Sequence, residues 1–242
     1  MNIIERAISS VAGGRVLDVA TQEGHFVQML MKNLQSYTEI VGIDVNEKAI
    51  ETAQATLGQE KIQFLVMNAE QLDFGDESFD TVSLSASFHH LSNIRRVLDE
   101  MERVLKSEGN WIIAEMHRDG QTEAELTSIY LHHWVAAVDS ALGRLHNRTL
   151  ARQEFMDYVA SLGLSKVEFY DYTDRDSDPM ERTRIEQLES LINRVVRRAE
   201  EAGTYRELRK RGEELRQRLH EVGAQSEPVL VVIGKKGRAR SS

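Results

Sequence analysis

The chain has 242 residues, 41% hydrophobic and 29% charged, with 39 acidic against 30 basic side chains and a formal net charge of -9 at pH 7. That suffices for one α/β domain with a full core plus an elaboration, and it is not the balance of a disordered or fibrous chain. The absence of cysteine excludes disulfides, thiolate metal sites and cysteine nucleophiles, and the acidic surplus disfavours a non-specific grip on nucleic acid.

The opening MNIIERAISSVAGGR has no basic region followed by a long apolar stretch, and no apolar run approaches the ~18 residues of a membrane span, so a cytoplasmic protein without membrane contact is expected. From Arg15 to Ile113, short apolar β-branched runs alternate with amphipathic stretches, the grammar of βαβ units and a parallel sheet. The expected strands are Arg15 to Val19, Glu39 to Ile43, Ile62 to Met67, Thr81 to Ser85 and Trp111 to Glu115. Gly24 to Asn33, Glu47 to Leu57 and Ile94 to Leu105 carry apolar residues at helical spacing and serve as crossovers. Ser92 is the expected N-cap of the last of these helices and Gly109 the turn after it.

After the fifth strand, Glu123 to Leu145 reads as a helix, Leu150 to Leu162 as another ended by Gly163, and Lys166 to Tyr172 as a sixth strand. Asp178 to Val222 is charge-rich and reads as a helical hairpin turning at Gly203. Asp178 with Pro179 and Glu181, and Thr204 with Glu207, supply start signals. Ile185, Leu188, Leu191, Ile192, Val195 and Val196 form one apolar stripe, and Tyr205, Leu208, Leu215, Leu219 and Val222 the other. The stripes can face each other, the sheet or a second subunit. A last strand, Val229 to Ile233, follows, and the terminal KKGRARSS reads as a solubilising end. The expected division is residues 1–177 with 228–236 as the sheet domain and 178–223 as an inserted lid or homodimerisation element.

The first strand and turn read VLDVATQEGHF, an acidic residue, a loop and a helix start, and VGIDVN places Asp44 about 20 residues beyond the glycine of that loop, where a carboxylate can accept from both hydroxyls of a ribose. These segments resemble motif I and the second-strand motif of class I S-adenosylmethionine-dependent methyltransferases, of the methyltransferase type 11 or ubiquinone–menaquinone biosynthesis kind. FLVMNAEQLDF, FDTVSLSASFHHLSN, MERVLKSEGNWIIAE and ASLGLSKV resemble later passages of the same family in the same order. Ala20 and Gln22 stand where the family has its first two glycines, and only Gly24 is retained. Alanine serves there if its backbone angle stays negative; Gln22 would narrow the pocket or add a contact.

The resemblance implies an α/β fold, a Rossmann-like doubly wound, mostly parallel seven-stranded sheet with the helical hairpin inserted before the last strand. It implies S-adenosyl-L-methionine as cofactor, held by Asp18, Ala20, Thr21, Gln22, Gly24, Asp44, Val45, Asn68, Ala69 and Ser85, and a small-molecule acceptor. Methyl transfer is an in-line displacement, so positioning and water exclusion come first and a base is needed only for an acceptor of high pKa. His89, His90 and Glu115, with His117 beside them, are the candidate catalytic residues at the carboxyl edge of the sheet. No metal site is expected: His132, Asp139 and His146 are seven residues apart, too far along one helix to share an ion, and His133 points away from His132. Two other readings compete, a dinucleotide-dependent reductase, which wants glycine at Ala20 and Gln22, and a non-catalytic scaffold with a degenerate cofactor loop.

Overall fold

The structure, a computed structural model, describes residues 3–120, 122–200 and 205–237. Seven strands form one sheet in the order β3-β2-β1-β4-β5-β7-β6. They are β1 (Ala12–Val19), β2 (Ser36–Asp44), β3 (Ile62–Val66), β4 (Phe79–Ser85), β5 (Leu105–Met116), β6 (Ser165–Tyr172) and β7 (Val229–Lys235). The first five run parallel, and β7 is antiparallel to both of its neighbours. Their near-continuous apolar runs bury against helices on both faces. Leu17, Val19, Leu84, Trp111 and Ile113 lie in one core, and Val16, Ile40, Ile62 and Ile112 in the other. Strand order reverses between β1 and β4, which opens a crevice at their carboxyl ends.

The helices are α1 (Ile3–Ser9), α2 (His25–Asn33), α3 (Glu47–Leu57), α4 (Ile94–Val104), α5 (Glu123–Ala141), α6 (Arg152–Ser161), α7 (Arg182–Ala199) and α8 (Tyr205–Val222). No element was expected at α1; at seven residues it is too short for a periodic signal, yet it buries Ile4, Ala7 and Ile8. Asn93, and not Ser92, caps α4, its side chain accepting from Arg96 N–H. Gly109 lies inside β5, where residues between Leu105 and Asn110 bulge out of register with β4, and a Cβ there would strike Leu105. Glu181 caps α7 with both carboxylate oxygens, while the Asp178 carboxylate accepts from Met180 N–H just upstream. Gly163, with φ +58, follows the end of α6 as expected. The turn at Gly203 and the Thr204 start signal lie outside the described residues.

The hairpin stripes face each other and α5. Ile192, Val195, Leu208, Leu215 and Leu219 bury with Leu131, Trp134 and Val138 in a third cluster. Trp134 Nε1–H donates to Leu208 O at 2.8 Å, and Gly212 lets the indole approach, since a Cβ there would sit 2.6 Å from the ring. Among the described residues no helix is long and apolar enough to cross a membrane.

Candidate active site

A cavity of about 970 Å³ opens at the crevice, in the size range of small-molecule and cofactor sites. Ala20, Gln22, Asp44, Val45, Asn68 and Ala69 line it, together with Ile43, Asn46, Met67 and His25 at the start of α2. Six of the ten expected cofactor residues are therefore on its wall, and four stand behind it. Asp18 and Thr21 are buried under the loop, Gly24 packs on Phe64 and Leu57, and Ser85 gives way to Ser87. The last shift follows from Ala86, whose φ of +47 turns the chain after β4 so that Ser87 meets the cavity.

The loop after β1 holds its shape without the family's glycines. Ala20, Gln22 and Gly24 have φ of +54, +50 and +82, so the expectation of a negative angle at Ala20 is overturned. An L residue in this region costs roughly 1–2 kcal/mol. What compensates is a hydrogen-bonded cradle. Thr21 N–H donates to Ile43 O at 2.8 Å, Gln22 N–H to Asp44 Oδ2 at 2.9 Å, and Asn46 N–H to Asp44 Oδ1 at 2.9 Å. Asp44 thus sits at the rim of the cavity with both oxygens oriented by backbone amides. The exposed Gln22 side chain leaves the cavity open beside it.

Beneath the loop, Asp18 is 1% exposed. Its Oδ1 accepts from Ser83 Oγ at 2.7 Å, while Asp18 Oδ2 and Thr21 Oγ1 are buried with no hydrogen-bond partner among the described residues. Burial pushes the Asp18 carboxyl up to about 6, an effect that the Ser83 hydroxyl only partly offsets.

The opposite wall carries Ser87, His90, Leu91, Ser92, Val97, Arg144 and Leu145. Of the expected catalytic residues His90 alone faces the cavity. Burial, with His89 and His146 beside it, lowers its pKa to about 4, so its imidazole is neutral at pH 7. Glu115 is 1% exposed; its Oε2 accepts from Ser87 and Phe88 N–H at 2.9 and 3.0 Å, so it pins the 87–88 turn from below. Burial pushes Glu115 up to about 7. His89 is buried between Glu115 and the cavity wall, with Nδ1 3.3 Å from Glu115 Oε1. His117 is buried further along β5's end and does not line the cavity. Arg144 and Leu145 were not anticipated, because the expected helix ran through them. In the structure α5 ends at Ala141, and Gly143, with φ +75, turns the chain back over the sheet.

Residues 17–113 match the family model described as "Methyltransferase domain". Over those residues the chain is similar to methyltransferase domains. The demethylmenaquinone methyltransferase of Thermotoga maritima is 36% identical over 126 residues, 51% of this chain and 54% of that protein. The ubiquinone/menaquinone biosynthesis C-methyltransferase UbiE of Geotalea uraniireducens is 26% identical over 69% of this chain and 77% of its own length. The match to the Thermotoga enzyme takes in about half of that protein. The crystal structure of the YcgJ protein from Bacillus subtilis shares the fold, with a TM-score of 0.59, 19% identity, and coverage of 98% of this chain and 97% of that one. The matched residues contain the loop, Asp44, Asn68, Ala69 and the 87–90 turn.

Proposed function

We propose that the protein is an S-adenosylmethionine-dependent methyltransferase acting on a small-molecule acceptor. The observation that carries this reading is the loop. Ala20 and Gln22 pay a conformational cost to keep the backbone that glycines would give freely, and such strain persists where a site needs the shape. The residues present fit the cofactor. Asp44 offers two oriented oxygens to vicinal ribose hydroxyls, Asn68 and Ala69 stand at the adenine edge, and Val45, Ile43 and Met67 supply apolar cover.

Bound there, S-adenosylmethionine supplies an electrophilic methyl group. The chain's own task is to hold an acceptor in line and keep water out. Leu91, Val97 and Leu145 suit an acceptor with an apolar body, and Ser87, Ser92 and neutral His90 can hydrogen-bond its reacting end. With its pKa near 4, His90 is a better orienting acceptor than a proton-abstracting base at pH 7. Two further expectations, a cytoplasmic location and pairing of two copies through the hairpin, rest on sequence alone; pairing loses its rationale where the apolar stripes are buried within one chain.

The test is turnover. Purified protein with S-adenosylmethionine and a panel headed by demethylmenaquinone, after which the Thermotoga relative is named, should release S-adenosylhomocysteine only when an acceptor is present. Cofactor binding without turnover on any acceptor would favour the scaffold reading. Binding of NADH in place of the sulfur nucleoside would favour the reductase.

A further inference from the structure

Behind the acceptor wall, three imidazoles converge from three separate segments. His89 comes from the turn after β4, His132 from α5, and His146 from the loop that doubles back after Gly143. The sequence argument against a shared ion assumed one continuous helix through His146. Because α5 stops at Ala141, His146 returns to lie against His132 instead, with its side chain 9% exposed. One ligand nitrogen from each of the three lies within 4.8 Å of the others.

Each ring is backed by its own carboxylate on Nδ1. Glu115 Oε1 lies 3.3 Å from His89, Glu227 Oε1 3.2 Å from His132, and Asp139 Oδ2 2.8 Å from His146. When Nδ1–H donates to a carboxylate, the lone pair is left on Nε2. His132 Nε2 and His146 Nε2 are 3.1 Å apart. If both rings carry their one proton on Nδ1, the two Nε2 lone pairs face each other across that gap. A cation between them resolves the conflict: two imidazoles on one tetrahedral zinc place their nitrogens roughly 3.3 Å apart, given zinc–nitrogen bonds of about 2.05 Å. A carboxylate on the far nitrogen of each ring is also the outer shell that fixes tautomer and orientation for metal-bound histidine.

We propose that His89, His132 and His146 form a site for one divalent first-row transition cation, zinc foremost, with Glu115, Glu227 and Asp139 as its outer shell. Three neutral imidazoles are borderline-soft donors suited to zinc, iron, nickel or cobalt and not to magnesium or calcium, and three protein ligands leave a fourth position open. The site adjoins the cavity. The His90 ring, on its wall, is 4.2 Å from that of His89 and 4.3 Å from that of His146. Acting there, the ion would withdraw electrons from an acceptor oxygen and lower its pKa. That use rests on the methyltransferase reading; the site itself does not.

The experiment uses the full chain without an affinity tag, stripped with EDTA and titrated calorimetrically with zinc, and separately with cobalt(II) followed by visible absorption. The expected result is one equivalent bound per chain with the intense bands of four-coordinate cobalt. Affinity should fall at least 100-fold in His132→Gln and in His146→Gln, and about 10- to 100-fold in Asp139→Asn. His220→Gln, at an exposed histidine on α8, should bind as the parent does. No stoichiometric binding by the parent protein would overturn the proposal, as would affinity that survives His146→Gln, whether or not that variant's melting temperature changes. S-adenosylmethionine titrated into the stripped protein is read independently: binding of the nucleoside without zinc removes the metal site alone, and binding of zinc without the nucleoside removes the methyltransferase reading alone.

Discussion

Ala20, Gln22, Asp44, Asn68 and Ala69 lie at or just beyond the ends of three adjacent parallel strands. The facing wall draws Ser87 and His90 from the turn after β4, and Arg144 and Leu145 from a loop beyond α5, with Glu227 from the segment before β7 supporting the histidines behind. The first wall lies wholly within the matched residues 17–113, whereas the second adds Arg144 and Leu145 from beyond that match and is braced from behind by Glu227. In the proposed reading, a cofactor common to many enzymes meets the sheet edge, and the acceptor meets whatever the appended helices bring to it.

The largest expected effect separates the two walls through the cap that carries one of them. Trp134→Ala removes a buried indole and its bond to Leu208 O, and should cost about 3–5 kcal/mol in urea unfolding. Acceptor turnover should collapse while affinity for S-adenosylmethionine stays within a few-fold, measured at a temperature where the variant is folded. A parallel loss of cofactor affinity would mean that the walls are one cooperative unit.

A smaller effect lies beneath the cofactor loop. Asp18 in the folded protein titrates near 6 against an ordinary 3.8, so the folded state holds its proton more tightly than the unfolded chain does. The resulting stability is present in full below the unfolded pKa and is lost as pH rises through about 6. Asp18→Asn should therefore gain on the parent by up to ~3 kcal/mol between pH 4 and pH 7. Unfolding free energies of both proteins across that range check it, and a difference independent of pH would show that burial does not perturb this carboxyl.

Smallest is the relief of backbone strain in the loop itself. Ala20→Gly removes a Cβ from a left-handed residue and should stabilise the fold by about 1 kcal/mol, read as a rise of a few degrees in melting temperature. Loss of stability would mean that the alanine methyl contributes more by packing than its backbone angle costs.

The same division explains what was legible beforehand. Strand order, the crossovers and Asp44 announce themselves through local patterns of apolar residues and one carboxylate at a fixed distance from a loop. Ser87 escapes notice in the sequence because the positive φ at Ala86, which turns the chain, leaves no mark in residue identity. The histidine cluster was hidden for a related reason. Leu142 and Leu145 continue the helical spacing of α5 past its true end, and only Gly143 hints that the chain turns back. The partnership of His132 with Glu227 spans 95 residues and has no sequence signal at all.

The measurement that bears most directly on the account is calorimetric titration of the purified chain with S-adenosylmethionine and S-adenosylhomocysteine, beside Asp44→Ala. Asp44 makes two charge-assisted contacts to the ribose in this reading, each worth roughly 1.5–3 kcal/mol, so saturable binding by the parent should weaken at least 100-fold in the variant. Absence of binding by the parent, or equal affinity in Asp44→Ala, would contradict it.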